Sequence, residues 1–267
     1  MISRRRFLQF TAAAAATVRL LAPRSTAGKA DTTETVGRVR LPVGGPQGRQ
    51  PDPLPRQRAD RPRGSEFVFA RLRYESGDWD YNPKVAANVL NSIIEYTSIP
   101  VYQEEVVISA SSGELLSFPF IFMTGHKLVR FSSAERENLR RFADAGGLLF
   151  SDDCNHDVNG LYARTFEEEM HTVFPGDALA KLPVSHPIYR SFFTFKGGPP
   201  QTSHELNGWG DNIVHEYLKG IERRGRTAVL YSNKDYGCEW DYDWRNKRFL
   251  REDNTKFAVN IVVYTMT

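Results

Sequence analysis

Four groups of polar residues hold the chemistry this chain can do. They are Asp78, Trp79, Asp80 and Asn82; Gly125 and His126; Asp152, Asp153, Cys154, Asn155 and His156; and Asp235, Cys238, Glu239 and Trp240. His126, Asp152 or Asp153, and His156 are nitrogen and oxygen donors that suit a divalent metal, with His126, Asp153 and His156 as the leading set. No HExxH or His-x-His spacing fixes a geometry, and the Asp pair could equally cap a helix or bind loop amides. Cys154 is a candidate nucleophile, with His126, Asp152 and Asp153 as its catalytic companions, yet carboxylates beside a sulfur raise its pKa. Cys154 and Cys238 allow one disulfide at most. A bridge, two buried thiols and a reactive Cys154 all stand as alternatives. Asp78, Trp79, Asn82, Gly125, Asp235, Glu239 and Trp240 form a ligand-binding set, because aromatic faces beside carboxylates suit a sugar ring. Tyr81, Trp209, Tyr242 and Trp244, with Asp241 and Asp243, extend that pattern, and core packing is the plainer role for these aromatics. His186 before Pro187 reads as a turn former and His171 as a helix-surface residue.

Hydrophobic periodicity places these groups. Phe67 to Tyr74 alternates apolar and basic residues as a half-buried first strand does. A helix follows over Pro83 to Thr97, with Asn82 as N-cap, Pro83 in its first turn, and Val85, Val89, Leu90, Ile93 and Ile94 on its inner face. Ile99 to Tyr102 and Val106 to Ser109 read as a second strand, and Pro119 to Gly125 as a buried parallel third. Ser132 or Ser133 caps a helix with Leu139 and Phe142 inside, Gly146-Gly147 closes it, and Leu148 to Ser151 is the fourth strand. A helix near Thr165 to Val173, a Pro/Gly-rich excursion over Pro183 to Trp209, a strand at Thr227 to Ser232 and a helix from Asn254 to about Tyr264 complete a parallel α/β pattern. In such sheets loops gather at the carboxyl ends of the strands, so all four polar groups fall on one edge.

The motifs ARLRYESGDWDYNP, FPFIFMTGH, LRRFADAGGLLFSDDCNH, the VFP and HPIY pairs, and GRTAVLYSNKDYGCEW lie within the run from Phe67 to Thr267. Together they resemble the DUF4159 domains, which are similar to class I glutamine amidotransferase-like proteins, including the trehalose-utilisation type. The resemblance implies a flavodoxin-like fold, a mostly parallel sheet flanked by helices, and no particular reaction. It also implies a departure. True amidotransferases hold their cysteine on a G-x-C-x-G turn, whereas Cys154 has Asp153 and Asn155 as neighbours and no histidine follows His215. Glutaminase activity is therefore not expected.

SRRRFLQ (Ser3 to Gln9) has the order of a twin-arginine signal, followed by an alanine-rich run over Phe10 to Ala22 that is too short for a comfortable span and is interrupted by Arg19. Ser25 and Ala27 offer a cleavage site, with Gly28 to Ala30 as the alternative. Residues 1–27 are thus expected to be a signal peptide and 28–65 a Pro/Gly/Arg-rich disordered arm, leaving 66–267 as one α/β domain. The twin-arginine translocase and signal peptidase are the implied export partners, the location is periplasmic or extracellular, and no permanent membrane span is expected. Residues 1–65 hold 13 of the 35 Lys/Arg and 4 of the 32 Asp/Glu, leaving 22 against 28 in the domain. The basic pI of about 8.8 therefore belongs to the leader and arm, and gives no support for nucleic-acid binding. Three roles remain: a module for a small polar, carbohydrate-like ligand, a metal-assisted hydrolase, and an assembly module that uses the arm.

Overall fold

The computed structural model describes residues 65–241 and 251–267; the expected signal peptide, almost all of the expected arm, and Tyr242, Asp243 and Trp244 lie outside them. Seven strands form one sheet: β1 (Ala70–Arg73), β2 (Val106–Ser109), β3 (Phe120–Gly125), β4 (Leu148–Asp153), β5 (Ala180–Lys181), β6 (Lys219–Arg223) and β7 (Arg226–Ser232). Their order is β2-β1-β3-β4-β7-β6-β5. The first five are parallel neighbours, and β6 and β5 extend the sheet antiparallel. The helices are α1 (Val85–Tyr96), α2 (Ser133–Asp144), α3 (Leu161–Val173), α4 (Ser203–Leu206), α5 (Tyr236–Asp241) and α6 (Arg251–Met266). This is the mixed, mostly parallel architecture of flavodoxin-like domains.

Each face of the sheet has its own core. Leu139 and Phe142 of α2 and Tyr162, Phe166 and Met170 of α3 pack with Ile121, Met123 and Leu149. On the other face Val85, Val89, Leu90 and Ile93 of α1 and Phe257, Ile261 and Val262 of α6 cover Phe69, Phe122 and Phe150. Because both faces are covered, β3 and β4 are buried along their whole length, which is why β3 reads as a continuous apolar run. Helix α2 begins on a capping box: Ser132 Oγ accepts from the Glu135 amide, and the Glu135 carboxylate accepts from the Ser132 amide. Removing such a cap costs about 1 kcal/mol.

Several expectations are corrected. The first strand is not half-buried, since Arg71 is sequestered and carries its charge into the interior. The α1 N-cap position falls on Lys84, without a side-chain cap bond, because the Asn82 side chain is engaged elsewhere. Ile94 is exposed. Helix α3 starts four residues before the expected Thr165, and β4 runs on through Asp152 and Asp153, placing both acids on the strand. The β6–β7 hairpin was not anticipated. Its turn residues Arg224 and Gly225 both have positive φ (51° and 77°), as a tight two-residue turn requires.

Candidate functional site

β2 lies on one side of β1 and all later strands on the other, so the strand order reverses between β1 and β3, where open α/β sheets form a crevice. The loops after those strands meet there. Asp78 Oδ1 accepts the amides of His126 (2.9 Å) and Lys127 (3.2 Å), and its Oδ2 lies 3.1 Å from His126 Nδ1. Burial pushes the Asp78 carboxyl up, but the two amides and the imidazole outweigh it and hold the group below the usual carboxylate range. An ionised Asp78 accepts, so Nδ1 carries a hydrogen, and in a neutral ring Nε2 is then the lone pair. Gly125 is required here: a Cβ would stand 2.6 Å from Tyr74 Oη and 2.7 Å from Asp78 Oδ1. The exposed Tyr81 ring meets the His126 ring edge-on, centroids 4.0 Å apart.

Arg71 sets the path of this loop. Its guanidinium donates to the carbonyls of Tyr81 (2.7 Å), Asn82 (3.0 Å) and Trp79 (3.4 Å), and its Nε to Glu105 (2.6 Å). Asn82 is thereby held in the left-handed region at φ 57°, with its amide turned inward onto two sulfurs. Its Nδ2 donates to Cys154 Sγ (3.2 Å) and its Oδ1 accepts from Cys238 Sγ (3.6 Å). Thr124 Oγ1 lies 2.9 Å from Cys154 Sγ. Cys154, Cys238 and Asp235 bring their ligand atoms within 4.8 Å of one another, and both cysteines are free thiols.

The thiols divide unequally. Cys154 is buried, and its hydrogen bond to Cys238, then burial, then the nearby Asp235 and Asp152 carboxyls, push it well above the ordinary thiol. Cys238 is partly exposed and is drawn down to about 7, first by the hydrogen bond from Cys154 and then, against burial, by Asp235 and Asn82. Of the two thiols, Cys238 is thus the more accessible and the more acidic. Among the described residues, the hydrogen bonds to these sulfurs come from Thr124, Asn82 and Asp235 besides each other, and none comes from a histidine. Tyr81 is raised by burial and then by Cys238, Cys154, Asp235 and Asp78, so its hydroxyl lies in the field of both the thiol pair and the Asp78–His126 pair.

The two strand-end acids act as scaffold. Asp152 accepts from the amides of Gly237 (2.6 Å) and Tyr236 (3.2 Å), tying the start of α5 to β4. Asp153 accepts from the Asn155 amide (2.9 Å) and the Tyr231 hydroxyl (3.4 Å). Burial is the leading cause that pushes Asp152 up to about 8 and Asp153 up to about 7. The amide contacts allowed for this pair are present at both acids. Asp235 (φ 58°) is also buried and raised by burial first; its Oδ1 accepts the Cys238 amide, and its Oδ2 lies 3.2 Å from His204 Nδ1 without hydrogen-bond alignment.

The expected metal set of His126, Asp153 and His156 is not assembled. Among the described residues the ligand atoms of these three do not cluster: His156 groups with Asp211 and His215 instead, His126 Nδ1 lies on Asp78, and Asp153 accepts from Asn155 and Tyr231. Trp240 is buried against Phe150 and Tyr236 with its Nε1 donating to Asn254 O, so it offers no free face to a ligand, while Glu239 Oε1 accepts from the Ser203 amide and hydroxyl and its Oε2 is buried without a hydrogen-bond partner among the described residues. Trp79 is partly buried against the core. Arg71 and Thr124 had no local signal beyond their place on strands. A hollow of about 650 Å³ lies elsewhere, lined by residues 193–201 together with His215, Glu216, Asp253 and Lys256.

Fold and edge together define a three-layer α/β domain with a polar edge at its strand reversal. The chain belongs to the family described as Domain of unknown function (DUF4159), whose model matches residues 68–266. Among curated proteins, none is similar enough to register as a relative.

Proposed function

We propose that the domain takes a small, neutral, hydroxyl-rich ligand, of the kind a carbohydrate presents, at the β1/β3 edge. One observation carries this reading: ionised Asp78 holds His126 with Nε2 unused, beside the exposed ring of Tyr81. A carboxylate, an imidazole and a phenol bind hydroxyls, and the phenol ring also supplies a stacking face. Asp152 and Asp235, with pKa values raised by burial, reduce the negative charge of the edge near neutral pH, which favours a neutral ligand over a cation. The sulfurs lack a histidine partner, which supports the absence of glutaminase activity. The SRRRFLQ leader supports export by the twin-arginine translocase, removal of the leader by signal peptidase, and work outside the cytoplasm. No described helix is long and apolar enough to cross a membrane.

Saturation-transfer NMR with a panel of neutral mono- and disaccharides, trehalose included, tests the ligand. Transfer to at least one sugar, lost in Asp78→Ala and kept in Glu104→Gln, is expected; no transfer from any sugar refutes the reading. The sulfur pair favours a second reading, in which the two thiols lose two electrons and two protons to a disulfide-bearing partner and form a Cys154–Cys238 bridge, with Cys238 attacking first. Peptide mapping without reductant, on protein exported by its own leader, finds that bridge or excludes it.

A further inference from the structure

We infer that His156, Asp211 and His215 form a structural cation site, of the kind zinc occupies, that fastens the excursion between β5 and β6 to the loop after β4. The three residues bring their ligand atoms within 4.8 Å of one another, and this group is separate from the one at Cys154, Asp235 and Cys238.

The case begins with hydrogen atoms. His156 Nδ1 is 2.6 Å from the Asn233 carbonyl, which can only accept, so Nδ1 carries a hydrogen. In a neutral ring Nε2 is then a lone pair. That lone pair faces the Ile213 carbonyl at 3.0 Å and Asp211 Oδ1 at 3.7 Å, while His215 Nε2 lies 2.9 Å from Asp211 Oδ2. The His156 lone pair and the oxygens of Ile213 and Asp211 are acceptors turned toward one another, and they repel unless a positive centre lies among them. The spacings bracket the about 3.3 Å that separates ligand atoms around a tetrahedral ion with bonds of about 2.0–2.1 Å. Two imidazole nitrogens, a carboxylate oxygen and the Ile213 carbonyl complete a four-atom set.

The surroundings hold each ligand in place, as outer partners do at metal centres. Asn233 O fixes the His156 tautomer. Asp211 accepts from the amides of Val158 (3.2 Å) and Ile213 (3.0 Å). The His215 backbone is anchored on both sides, its amide donating to Glu205 Oε1 (2.8 Å) and its carbonyl accepting from Lys234 Nζ (2.5 Å). Gly210 (φ 64°) lets the excursion approach closely: a Cβ there would fall 1.9 Å from His156 O, and the next amide, that of Asp211, donates to the same oxygen at 2.9 Å. His156 and His215 are buried, as is the Asp211 side chain, so a bound ion would be closed off from solvent, as in structural rather than catalytic sites.

The rival arrangement is a doubly protonated His156 neutralised by Asp211, with no ion. The full chain, purified without a polyhistidine tag, incubated with Zn²⁺ and passed through gel filtration, distinguishes the two by elemental analysis. One zinc per chain is expected, with a rise in melting temperature that a chelator reverses. His215→Asn should release the metal and Cys238→Ala should keep it. Should His215→Asn fail to fold, the cobalt-loaded wild type decides: ligand-field bands without a sulfur-to-cobalt charge-transfer band support the site. No metal retained by the wild type, loss of metal in Cys238→Ala, or a sulfur charge-transfer band overturns the inference.

Discussion

Replacing Lys234 by Met tests whether the excursion is held by buried charge. Lys234 Nζ bonds Glu205 Oε1 and the His215 carbonyl, each at 2.5 Å, and both charged side chains are fully buried. Burial lowers the Lys234 pKa, and Glu205 works against that shift. Breaking a buried pair by removing one partner costs about 3–5 kcal/mol, because the other charge stays behind unpaired. Glu205 would retain the amides of Thr202 (2.9 Å) and His215 (2.8 Å), which places the expected loss near the lower bound, about 3 kcal/mol. For a domain of this size each kcal/mol moves the melting temperature by roughly 2–4 °C, so a fall of roughly 6–12 °C is expected. Urea unfolding followed by circular dichroism gives the free energy directly. Lys234→Met with Glu205→Gln should recover at least half of the loss, since the stranded carboxylate is gone. A single variant within about 1 kcal/mol of wild type, or a double variant no better than the single, would refute the account.

Two further outcomes follow from the buried acids and thiols. Asp152 and Asp153 have folded pKa values raised to about 8 and about 7, above those of the unfolded chain, so their stabilising contribution is fully present below about pH 4 and is lost as pH rises through about 7 to 8. Each can tilt stability by at most about 1.4 kcal/mol per pH unit in that window. Asp153→Asn should flatten the decline in unfolding free energy measured between about pH 5 and about pH 8, and an unchanged slope would count against the burial argument. Iodoacetamide should label Cys238 before Cys154, with a midpoint near pH 7 that Cys154→Ala moves upward, because the hydrogen bond from Cys154 is the leading cause of the low value. Mass spectrometry that finds Cys154 labelled first would reverse the assignment.

What could be read from the sequence divides by range. The α2 capping box and the apolar runs of β3 and β4 are local signals, and Ser132, Glu135 and Phe120 to Leu149 occupy the expected places. Asn82 looked like a helix cap because Pro83 follows it, but two sulfurs distant in sequence claim its side chain. The β6 strand was hidden by Lys219, Glu222 and Arg223, whose charged ends are satisfied by partners such as Asp144 and Asp177 that no local pattern reveals. The edge rule gathered Asp78, His126, Cys154 and Cys238 correctly in region, yet which sulfur is accessible depends on how α5 stands against β4. Asp211 and His215 lie in a stretch without period, and only the return of that stretch onto His156 gives them a shared purpose.

Arg71 grips the edge loop through carbonyl oxygens alone, so the grip is blind to which side chains the loop bears. Asp80 and Tyr81 are exposed on a backbone whose course is set from within the sheet. Those two positions are therefore interchangeable faceplates on a fixed mount: a library randomised at 80 and 81 would vary what the edge recognises while the frame that presents it stays the same.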